Sequence, residues 1–260
     1  MGCVDRYGLP LTGGVEAVAA YNRGVGNLLR LEEGGLASVA ASVVLDPTFA
    51  LGHAALALLG HELCAPVDTE ARLRDARLHA RRSTERERSH VEAVARHVAG
   101  DSGPLVQHLR RHPTDALLLS VAVPTIAFAG VTTVPQDAWQ IVERCAPAYG
   151  DDWWFSGLLA FMRQEQGRFD EAMELSCLSL DVEPGAGHSA HARSHAHYET
   201  GDHAGGLAWM DGWITGAGAQ VDSSCIAACH EKWLRLSTPA PAPVIQPSIQ
   251  ASPAAWSPVS

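Results

Sequence analysis

The feature that most constrains this chain is a turn that occurs twice at a fixed interval. Gly167 is followed by Phe169, Ala172 and Pro184, and the turn glycine of the next hairpin, Gly201, stands 34 residues after Gly167. Glycine permits a tight turn, the aromatic plugs the angle between two helices, alanine lets their backbones approach, and proline ends the second helix. Repetition of such a unit implies stacked helical hairpins, each of which relies on its neighbours to cover its apolar face.

An interval of 34 residues is the period of the tetratricopeptide repeat. The positions after Gly201 are degenerate, with His203 in place of the aromatic and Gly206 in place of alanine. Weaker units run from Gly35 to Pro47 and from Gly100 to Pro113. The rest of the chain also reads as helical, without a sustained alternating stretch. Its clearest helix starts at Thr84, which pairs with Glu87 as a capping box. Behind that cap Val91, Val94, Ala95 and Val98 form one apolar stripe, and Gly100 supplies the stop. Pro124, inside the apolar run from Leu117 to Phe128, predicts a kink or a helix end. The expected fold is all-α: tetratricopeptide-like helical hairpins over residues 1 to 222, forming a right-handed α-solenoid.

Composition narrows the partners. A hydrophobic content of 47% over 260 residues is enough for a sizeable core. The formal charge of -10 argues against nucleic acid, which needs a clustered excess of Arg and Lys. The one basic run, Arg72 to Arg88, is interleaved with acidic residues and reads as a solvated helix face. No apolar run has membrane-spanning length and the first residues lack a signal-peptide core, so a cytoplasmic protein without a membrane partner is expected. Six irregularly spaced cysteines suit reduced thiols. From Thr238 the chain becomes rich in Pro, Ala and Ser, and residues 223 to 260 are expected to form a disordered tail.

Chemistry concentrates in His188, His191, His195, His197 and His203. On one helix the first three project from a common face, within reach of a shared ion. Neutral imidazoles at that spacing point to zinc or another divalent metal. The bland reading has the same rings lining a polar groove or satisfying core contacts. His191, His195 and Trp209 are also the candidate binding residues of such a groove, although Trp209 and Trp213 at i, i+4 suit a structural role. His61-Glu62 begins a helical zinc motif, but Leu63, Cys64 and Ala65 follow and no second histidine completes it. Cys225, Cys229 and His230 have metal-like spacing in a compositionally foreign segment. Dinucleotide, phosphate-loop and nucleophile-elbow motifs are missing.

Five stretches carry a family resemblance: Gly8-Leu-Pro-Leu-Thr12, Leu45-Asp-Pro-Thr-Phe-Ala-Leu-Gly-His53, Glu85-Arg-Glu-Arg-Ser-His-Val-Glu-Ala-Val-Ala95, His112-Pro-Thr-Asp115 and His191-Ala-Arg-Ser-His-Ala196. In this order they resemble the tetratricopeptide repeat protein 38 family, whose motif also holds the counterparts of His191 and His195. The resemblance implies a tetratricopeptide-like solenoid and no particular reaction or ligand. Family members look as though they continue with a Trp- and His-rich helix where this chain has Ser223 to Trp233, which implies a C-terminally truncated member and an incomplete metal site. Three expectations result: an interaction scaffold for a protein or peptide partner, a metal-dependent enzyme or metal-binding protein using residues 188 to 203, or a truncated member without function.

Overall fold

The protein is described by a computed structural model that covers residues 2 to 122, 138 to 219 and 221. The expected tail, with Cys225, Cys229 and His230, and the kink expected at Pro124 lie outside these residues.

The chain opens with a two-stranded antiparallel hairpin, β1 (Cys3–Val4) and β2 (Pro10–Leu11). Twelve α-helices follow among the described residues: α1 (Val15–Arg30), α2 (Gly35–Leu45), α3 (Ala50–Glu62), α4 (Thr69–Ala80), α5 (Glu85–Val98), α6 (Gly103–Arg111), α7 (Ala116–Ala122), α8 (Ala138–Tyr149), α9 (Trp153–Glu165), α10 (Phe169–Val182), α11 (Gly187–Glu199) and α12 (His203–Thr215). The described part is therefore all-helical apart from that hairpin, and sequential helices pack as neighbours.

Local chemistry starts these helices where the first turn leaves amides unpaired. The Thr84 hydroxyl accepts from the Glu87 amide while the Glu87 carboxylate accepts from the Thr84 amide, completing the capping box of α5. Asp68, Asp152 and Asp202 cap α4, α9 and α12 through their side chains. Gly167 and Gly201 both take left-handed backbone, at φ 74° and 80°, and each joins two helices. The helix pair α11 and α12 starts 34 residues after α9 and α10 at both of its helices.

One continuous apolar core runs through these layers, with Phe49, Leu58, Leu118, Trp154 and Phe155 among its buried side chains. Helices α9 and α11 approach so closely at Gly157 that an added Cβ would collide with the Ser189 hydroxyl. The ends of the helical array also meet. α1 packs against α7 and α11, Arg30 donates twice to Glu183 at 2.8 and 2.9 Å, and Glu32 pairs with Val221. The amino-terminal hairpin is tied to the start of α9, where Asp152 accepts from Arg6 at 2.9 Å and from the Tyr7 hydroxyl at 3.0 Å. The period of the hairpins does not foretell these contacts between early and late helices. No helix among the described residues is long and apolar enough to cross a membrane.

Candidate functional site

The most concentrated buried charge lies where α5, α6 and α7 meet. Arg86 and His90 sit one turn apart on the core-facing side of α5, His108 comes from α6, and Asp115 precedes α7, whose Leu119 amide donates to the Asp115 carbonyl. A single carboxylate oxygen gathers them. Asp115 Oδ2 accepts from Arg86 Nη1 at 3.0 Å, from His90 Nδ1 at 2.8 Å and from His108 Nε2 at 3.1 Å. The second guanidinium nitrogen of Arg86 donates to the Pro10 carbonyl at 2.7 Å, which joins this centre to the amino-terminal hairpin.

Burial by itself would raise the Asp115 carboxyl, but His90 and His108 outweigh it and hold the group well below the ordinary carboxylate range. His108 moves the other way from a cation: burial lowers it, and only partly do the bond to Asp115 and its charge oppose this. The centre is thus an ionised carboxylate and a guanidinium with a neutral His108, whose Nδ1 is placed to accept from the Ser89 hydroxyl at 2.9 Å. The buried Nε2 of His90 has no hydrogen-bond partner among the described residues.

Beside this centre is a small cavity of about 30 Å³, lined by Asp115, Arg86, Asp5, Tyr7, Tyr21 and Asn22 together with apolar side chains such as Val25 and Leu29. Asp5 accepts from the amides of Tyr7 and Leu9, yet burial and the neighbouring Asp115 charge push its carboxyl upward. A space of that size has room for about one or two waters bridging these polar groups, not for a larger ligand. Next to it Glu87 accepts from the Thr12 amide at 2.7 Å and hydroxyl at 2.6 Å. Burial works against ionisation of Glu87, and these bonds outweigh it.

The histidines singled out from sequence do share α11. His188 and His191 are buried and His195 is half-buried. Burial, then the neighbouring His191, pushes His188 down to about 3. The rings of His191 and His195 lie face to face, with centroids 4.4 Å apart and planes 20° apart, and Phe161 flanks His191 at 6.1 Å. Imidazole lone pairs lie in the ring plane, so two stacked rings would have to turn before they bound one ion. His197 Nδ1 donates to Asp202 Oδ2 at 3.0 Å, and His203 packs edge-on against Tyr198. Half-buried Trp209 carries the Arg193 guanidinium at 4.3 Å and stacks on Trp213, whose indole donates to the Pro184 carbonyl. Trp153 and Trp154 are core side chains, the former beneath both Arg6 and Arg30.

Groups of three potential ligands with donor atoms within 4.8 Å of one another occur at two other places among the described residues. They are His90, His108 and Asp115, and His61, Glu62 and His97. Sequence reading assigned no chemistry to the first group. Its trace is that Arg86 and His90 interrupt the buried face of α5, where apolar residues were due. No protein-family model matches this chain, and no solved structure matches it either.

Proposed function

We propose that the chain is a tetratricopeptide-like helical-repeat scaffold that binds a protein or peptide partner. The observation that supports this reading is the recurrence of α9 and α10 in α11 and α12 at a 34-residue interval, each pair joined through a left-handed glycine. Stacked hairpins of this kind present extended surfaces that receive peptides or helices. Partly exposed Trp209, which packs on Arg193 and His197, and partly exposed His195, which stacks on buried His191, would make the contact. A formal charge of -10 favours a basic or neutral partner. The test is affinity capture at low salt, run in parallel with Trp209→Ala. A reproducible partner that the folded Trp209→Ala protein no longer retains supports the scaffold; nothing above background with a folded chain overturns it.

A divalent metal held by His188, His191 and His195 is the second reading, supported by their shared helix face. It requires the stacked rings to rearrange. Elemental analysis of untagged protein, compared with the His191→Ala/His195→Ala double variant, decides it: metal retained equally by both proteins removes this reading.

A further inference from the structure

We infer that His61, Glu62 and His97 form a binding site for a first-row divalent transition cation of the zinc class, separate from the histidines of α11. In sequence the His61-Glu62 pair lacks the second histidine of a helical metal motif. In the fold that histidine arrives from another helix. His97 Nε2 lies 2.6 Å from Glu62 Oε1, and His61 Nε2 lies 3.8 Å from the same oxygen.

Four further observations point to a cation. The other Glu62 oxygen, Oε2, is buried with no hydrogen-bond partner among the described residues, in a side chain 1% exposed. An uncompensated carboxylate oxygen in that setting is costly, and a bound cation would satisfy it. The rings of His61 and His97 stand at 83° to each other, unlike the parallel pair on α11, so their in-plane lone pairs can converge. Nδ1 of His97 lies 2.9 Å from the buried Ser102 hydroxyl, a contact that fixes the ring and leaves Nε2 toward Glu62, as outer partners of ligating histidines do. All three ligands leave the last turns of α3 and α5, where two helix dipoles present their negative ends.

Two imidazoles and one carboxylate suit zinc or a neighbouring divalent metal. Three protein ligands leave a coordination position open, and His61, whose side chain is 30% exposed, marks the route in. Ligands of a tetrahedral shell stand about 3.3 Å apart. Binding therefore spreads the Glu62 and His97 pair by less than about 1 Å or recruits Oε2.

This site stands independently of the partner-binding reading. Its test is calorimetric titration of Zn²⁺ into the chelator-treated full chain, with Glu62→Gln, which keeps the volume, and His61→Ala, which alters a half-exposed ring. His97→Ala is less informative, because a fully buried ring ties binding to folding. One equivalent of Zn²⁺, weakened at least about tenfold by either substitution and unchanged by His191→Ala/His195→Ala, is the expected result. No binding by the folded chain, or binding that survives both Glu62→Gln and His61→Ala, overturns the site. Loss confined to the α11 double variant overturns it equally and moves the metal to α11.

Discussion

At the scale of single residues, Asp115 separates a buried charge from a surface one. Its three donors were brought out of water together, and removing the carboxylate leaves the buried Arg86 charge without its counter-ion, held only by the Pro10 carbonyl. Asp115→Ala is expected to lower unfolding free energy by about 3–5 kcal/mol in urea titration. Arg111→Ala breaks a pair of similar length to Glu85, 3.3 Å, but both partners are exposed, and its cost should stay below about 1 kcal/mol. Comparable losses from the two variants would show that Asp115 is not the electrostatic centre. His188 supplies a pH signature. Because its folded value of about 3 lies below the unfolded one, the unfolded chain takes up the proton first. Stability is fully present above about pH 6.5 and declines as pH falls toward 3. His53, His108 and His112, which burial also lowers, act in the same direction. His188→Asn should remove about 1.4 kcal/mol per pH unit from that slope between pH 6 and 4, measured by urea unfolding at the two pH values. An unchanged slope would mean that His188 is not held neutral.

At the scale of elements, identical chemical changes should have opposite signs according to backbone geometry. Gly167 ends the turn between α9 and α10 at φ 74°, and an added Cβ would touch nothing there, so strain alone sets the cost. Gly167→Ala is expected to cost about 1–2 kcal/mol. Gly212 lies inside α12 with equally open space around a new Cβ, and Gly212→Ala should stabilise by about 0.5–1 kcal/mol. Thermal unfolding of the two variants reads both signs; two shifts in the same direction would refute the conformational explanation. The turn glycines and the Thr84 cap were legible in sequence because each depends on a few consecutive residues.

At the scale of the whole molecule, the amino-terminal hairpin and α1 act as a clasp between early and late helices. Asp152 is its hinge point, since the same side chain caps α9 and receives Arg6 and Tyr7. Asp152→Ala should cost about 2 kcal/mol, combining a lost cap with a lost hydrogen bond. Hydrogen exchange should then accelerate in residues 3 to 11, tied internally by bonds such as the Asp5 amide to the Leu9 carbonyl, more than in α3 or α5. Uniform acceleration throughout would mean that the clasp is not a separate unit. The clasp was not legible beforehand, because neither Arg30 with Glu183 nor Arg6 with Asp152 is signalled by anything near it in the chain.

The sequence by itself determined the helical character, the place of several caps and turns, and the shared face of His188, His191 and His195. All of these follow from interactions within one or two helical turns, where composition and spacing are sufficient. Tertiary packing decided the chemistry. Asp115 meets His90 and Arg86 across 25 and 29 residues, and Glu62 meets His97 across 35, so no local pattern announces either group. It also decided ring orientation, stacking His191 on His195 while setting His61 across His97. Side-chain rotation and the joining of distant helices are fixed by what surrounds each residue in the folded core, which a one-dimensional pattern does not contain.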